Sequence, residues 1–144
     1  MLSRGARAVA RATASLFALG AGAAPLLAQK AMPKLTPIGN TSVGTPVMLE
    51  TGSVTTANGI VTATVRVKLQ PPLKSAKGEL LNSRTIAMFD CAKRTVATKE
   101  SWYYLDQAGK NIGMHKVIKL PGFGPAFKGS LADVAMTHLC TPSR

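Results

Sequence analysis

Between Val61 and Leu69 the chain alternates strictly, with Val61, Ala63, Val65, Val67 and Leu69 on one side and Thr62, Thr64, Arg66 and Lys68 on the other. A period of two sends successive side chains to opposite faces, so this stretch predicts a β-strand with one face in a core and one in water. Asn58-Gly59 just before it is a hairpin signal, because both residue types tolerate positive φ. The hairpin's other arm is drawn from Val47 to Glu50 and Ser53 to Thr56, which flank Gly52. Gln70-Pro71-Pro72 predicts the strand's end, since proline has no N–H for the ladder. The following LKSAKGELLNS reads as a connection with at most one helical turn.

From Arg84 the alternation resumes, with Thr85, Ala87, Phe89 and Cys91 sharing a face and Ile86, Met88 and Asp90 opposite. Both faces are largely apolar up to Asp90, which predicts a central strand covered on both sides. Beyond Cys91 two registers are open: Arg94, Val96 and Thr98 inward, or Lys93, Thr95 and Ala97. SWYYL, the Asp106–Lys110 turn and Asn111–Leu120 predict a second hairpin, which Pro121-Gly122-Phe123-Gly124-Pro125 breaks. Ser130 and Asp133 form a capping-box-like pair. Leu131, Val134, Ala135, His138 and Leu139 then recur at helical spacing, predicting a helix over 130–140. Strands followed by a terminal helix give an α+β class: an antiparallel sheet of about five to six strands with the helix packed on it.

Composition adds a destination. The chain opens MLSRGARAVARATASLFALGAGAAPLLAQK, with Arg4, Arg7 and Arg11, no acid, and an apolar run ending in small residues. This layout predicts a signal peptide over 1–28, cut after Ala28, and an exported product that is periplasmic, extracellular or cell-surface. An Arg-rich organelle presequence and an uncleaved anchor are the alternatives. The run is short for a membrane span and contains Gly20, Gly22 and Pro25. Residues 29–45 read as an arm or a first edge strand, and 46–144 as one sheet domain. The 18 Lys and Arg lose three with the leader, leaving 15 against 6 acids, a net of +9. That excess suits a protein or another anionic macromolecule of the envelope or extracellular milieu as partner. The candidate contacts are Lys93, Arg94, Lys99, Lys110, Lys116 and Lys119. The plainer alternative is a basic exported protein with no such partner, since the lysines are scattered.

The chain has two cysteines, Cys91 and Cys140. With export, a disulfide between them is the default reading, which would staple the terminal helix to the central strand. Two buried thiols are the alternative; with His115 and His138 so far off, no metal-ligand spacing exists. No nucleophile or zinc motif appears and acids are sparse, so the chain reads as no enzyme, with no cofactor. Gly122 to Phe127 imitates a dinucleotide loop but has Phe127 where its last glycine belongs. Trp102, Tyr103 and Tyr104 near Lys99 and Lys110 could stack bases, but export disfavours nucleic acid. His115 and His138 read as structural or surface residues.

FDCAKRT, the aromatic hairpin YYLDQAGK and a terminal helix closing in LC together resemble the surface-adhesin protein E family of exported bacterial proteins. The upstream VMLETGSVTTANGIVTATVRVKL is similar to that family's first hairpin. The resemblance implies an antiparallel sheet of about six strands with a C-terminal helix tied down by one disulfide. It also implies a non-catalytic, adhesin-like role in contact with host or extracellular macromolecules. The chain departs from the family pattern in lacking a tryptophan in its early strands and a lipid-attachment cysteine. The family's adhesive residues have no motif that maps here.

Overall fold

A computed structural model describes residues 32–141. The leader and its cleavage site lie outside the described residues. Strands β1 (Leu35–Asn40), β2 (Pro46–Glu50), β3 (Thr55–Ala57), β4 (Ile60–Ser75), β5 (Gly78–Asp90), β6 (Thr95–Tyr104), β7 (Ile112–Val117) and β8 (Gly124–Pro125) precede one helix, α1 (Leu131–Leu139). They form a single eight-stranded antiparallel sheet with the path β1-β2-β4-β5-β6-β7. The count exceeds the expected five to six because each outer partner is interrupted. β2 and β3 run along β4 on either side of a 3-10 turn (Thr51–Ser53), and β7 and β8 both pair with β6. Residues 35–40 of the segment read as an arm or edge strand form β1.

Two expectations between Gln70 and Ser83 are corrected. The prolines do not end the strand, and LKSAKGELLNS is not a loosely helical connection. β4 continues to Ser75 and turns tightly into β5, which starts at Gly78. Lys68 pairs with Asn82 and Leu73 with Leu80, so residues 69–72 oppose Leu81 alone. Pro71 and Pro72 sit in this irregularity, where the ladder needs no donor, and the pairing resumes beyond them.

The alternation in β4 and β5 sets the core. Val47, Leu49, Ala63, Val65, Ala87 and Phe89 pack with Ala135 and Met136 of α1, all at most 5% exposed. β5 is central, as expected, but the helix covers one face only; Ile86 and Met88 on the other face remain half-buried. Pairing of Phe89 with Val96 resolves the open register after Cys91, and Val96 packs against the core.

The helix begins where its cap predicts. Ser130 Oγ accepts from the Asp133 N–H at 3.3 Å, and Asp133 Oδ2 accepts from the Gly129 N–H at 2.8 Å. Leu131, Val134 and Leu139 are partly buried, while the fully buried positions are Ala135 and Met136, and His138 is exposed. Three attachments fix α1 over β1, β2 and β4. The Ser42 N–H donates to Gly129 O at 2.8 Å. Gly39, at φ 150, lets β1 approach so closely that a Cβ there would lie 2.8 Å from Val134 Cγ1. At the far end a disulfide joins Cys91, just past β5, to Cys140, the C-cap.

Candidate functional site

The face of the sheet opposite α1 carries the even-numbered side chains of β4. Register lines up Met48, Arg66, Arg84, Trp102 and His115 on five successive strands. Two arginines directly opposite each other repel unless a counter-charge is shared. Glu50, the next residue on that face of β2, supplies it. Its Oε1 accepts from Nε of both Arg66 and Arg84 at 2.7 Å, and its Oε2 accepts from Arg84 Nη2 at 3.0 Å. The Glu50 side chain is 5% exposed and the arginines 28% and 24%.

Burial alone would push the Glu50 carboxyl up. The hydrogen bonds and charges of Arg84 and Arg66 outweigh it and hold the group below its ordinary value. The same bond to Glu50 raises Arg84 further against the opposing effect of its own burial. One carboxylate shared by two guanidiniums leaves this cluster at +1.

The row continues by stacking. The Arg84 guanidinium carbon lies 4.6 Å from the centre of the Trp102 ring, a cation–π contact. Trp102 in turn stacks on His115 at 5.0 Å between centroids and 10° between planes. His115 Nε2 meets Glu100 Oε1 at 2.6 Å, an ion pair when the imidazole is protonated. Chemically, the row offers planar cations and an aromatic surface on a rigid sheet, which suits recognition of anionic or planar groups. Among the described residues no three His, Cys, Asp or Glu side chains are grouped to hold a metal.

None of the six cations singled out from sequence belongs to this row; all six are exposed. Lys93 and Arg94 occupy the turn between β5 and β6, where the Lys93 N–H donates to Asp90 Oδ1 at 3.0 Å. Lys110 sits at the other end of β6, its N–H donating to Asp106 Oδ1 at 3.0 Å. Lys99 lies in β6, Lys116 in β7 and Lys119 just beyond it: Lys116 pairs with Ser101, and the Ile118 N–H donates to Lys99 O. Sequence reasoning missed Glu50, Arg66 and Arg84 as a group. The available signal was two arginines on the polar sides of adjacent alternating strands.

Beside the row lies a cavity of about 340 Å³, floored by Met48, Arg66, Lys68, Asn82 and Tyr104 and flanked by residues 107–109. The Asp106–Lys110 turn beside it is tied to the sheet, Asn82 Nδ2 donating to Asp106 O at 2.7 Å. The Asp106 carboxylate accepts from the Asn111 and Lys110 N–H groups, and these bonds lower it from its ordinary value.

Comparison with known proteins places this geometry. The family model described as surface-adhesin protein E matches residues 35–141. Among solved structures, crystal form II of Haemophilus influenzae protein E superposes with a TM-score of 0.51 at 14% identity, covering 76% of this chain and 96% of that one. At that identity the likeness shows the fold. No curated protein sequence matches.

Proposed function

The chain belongs to the surface-adhesin protein E family, and we propose that it is an exported, non-catalytic binding module that contacts anionic macromolecules of the envelope or extracellular space through its basic surface. Family membership over 35–141 carries the adhesin-like part of this reading. The cationic excess supports the choice of partner, because a net positive charge raises the local concentration and on-rate of polyanions. Lys99, Lys116 and Lys119 are the first contacts in this reading, with Lys93, Arg94 and Lys110 contributing at the sheet's two ends.

The test is capture of the exported protein on a sulfated glycan surface at low and high salt. Binding should fall steeply with ionic strength, since exposed charges are screened within about 10 Å at 0.1 M. It should also fall when Lys99, Lys116 and Lys119 are changed together to Gln. Binding that ignores both salt and these changes would sink the reading.

A second reading rests on β7, which has a strand neighbour on one side only among the described residues. As a structural or envelope-associated protein, the chain would use that edge to pair with another protein's strand through backbone hydrogen bonds. Such pairing survives high salt and is blocked by Val117→Pro, since the Ile118 N–H donates inward to Lys99 O and the alternating ladder turns the N–H of the exposed Val117 to the open edge.

A further inference from the structure

We propose that the cavity on the open face is a binding site for a small amphipathic anion, a single apolar chain ending in a carboxylate. This goes beyond the adhesin-like reading and does not rest on it. At about 340 Å³ the space lies within the usual range of small-molecule pockets. Its two kinds of wall specify the ligand. Leu35, Pro46 and Met48 supply an apolar side, while Arg66 and Lys68 supply a cationic one, and no acidic side chain lines it.

Arg66 is only partly used by the protein. Its Nε donates to Glu50, and among the described residues neither terminal amino group has a hydrogen-bond partner. Glu50 cannot neutralise it fully, because both carboxylate oxygens are also engaged by Arg84. Adding Lys68 to the +1 cluster leaves +2 beside the cavity. Planar guanidinium N–H groups held in place by Glu50 match a carboxylate geometrically and need little reorganisation to bind it.

The neighbouring turn shapes the site. Gly109, at φ 67, lies close enough that a Cβ would be 3.7 Å from Arg66 Nη1 and 4.0 Å from the Tyr104 ring. Its left-handed backbone therefore brings the turn against the guanidinium. A neutral ligand would leave the guanidinium's donors unanswered, and a compact inorganic anion would leave the apolar wall wet. A chain with one anionic end satisfies both.

Octanoate is the probe, titrated into the intact protein by calorimetry and by amide chemical shifts, with octanol and octylammonium as neutral and cationic matches. Octanoate should bind with shifts at Met48, Asn82 and Ala108–Gly109, about tenfold tighter than octanol, and octylammonium should not bind. Arg66→Met should remove that preference over octanol. Because Arg66 also touches Glu50, Lys68→Gln, at an exposed position, is the second variant; it should weaken octanoate several-fold without moving the melting temperature. Equal affinity for octanoate and octanol, shifts that map elsewhere, no binding by the folded protein, or octanoate affinity unchanged in both variants would overturn the proposal.

Discussion

On the face that α1 covers, Val47, Ala63, Val65 and Phe89 are wholly closed to solvent, and what holds them is shape and area. On the opposite face the same strands present Glu50, Arg66, Arg84 and Trp102, held by shared charge and stacking, with the arginines still about a quarter exposed. One sheet thus carries two stabilising chemistries back to back. The covered face buries area, which is non-directional, and among the described residues its core holds no ionisable group for pH to reach. The open face depends on ionisation and geometry, which pH and salt can reach. The helix that creates the asymmetry has only nine residues. A helix of that length is marginal alone, so its docking rather than its propensity keeps one face dry.

The comparison can be broken at its strongest point first. Phe89→Ala empties a fully buried site at the centre of the covered face, and should cost about 3–5 kcal/mol in denaturant unfolding. A loss below 1 kcal/mol would mean that this face is not the principal core. Removing the tether by Cys91→Ser with Cys140→Ser opens a closure spanning 49 residues, and should cost about 4 kcal/mol by loop entropy. Amide exchange in α1 should rise well above that in β5, whereas equal exchange would show that the helix stays docked without the bond.

Glu50→Gln sharpens the other side. It leaves two guanidiniums facing each other and should cost about 1–3 kcal/mol, less than a fully buried pair because both arginines reach water. The pH dependence carries the sign. The folded Glu50 carboxyl lies below its ordinary value of 4.5, so the folded state binds that proton less readily than the unfolded chain. Its stabilisation is fully present above about 4.5 and fades as pH falls through the folded value. Wild type and Phe89→Ala should share that acid limb, and Glu50→Gln should flatten it. An unchanged acid limb in Glu50→Gln would show that other carboxylates, not this shared one, set the protein's acid sensitivity.

Much of the fold was legible because β4, β5 and α1 each write their environment locally. Strict alternation marks the core side of Val61–Val67 and of Thr85–Phe89, and Ser130 with Asp133 marks the helix start. The misreadings have a common cause. At Pro71-Pro72 a local rule against proline in strands met a partner strand that pairs on both sides of the irregularity. In α1, spacing alone chose His138 and passed over Met136, because a short amphipathic pattern leaves the helix free to rotate until its neighbours are known. The open-face row was hidden for a stronger reason. Between Ile86 and Ala87 the pairing with β6 slips past Lys99, and the slip decides which aromatic meets Arg84.

Taken alone, the order of residues determines that this chain makes amphipathic strands, a capped terminal helix and a single pair of cysteines able to join them, since these depend on periodicity and near neighbours. Only the assembled sheet decides that Glu50 lies between Arg66 and Arg84, that Trp102 is sandwiched by Arg84 and His115, and that a cavity opens beside them. Those contacts span up to 34 residues of chain. Cross-strand register governs them, and a one-residue slip, which no local pattern forbids, would turn each of these side chains to the other face.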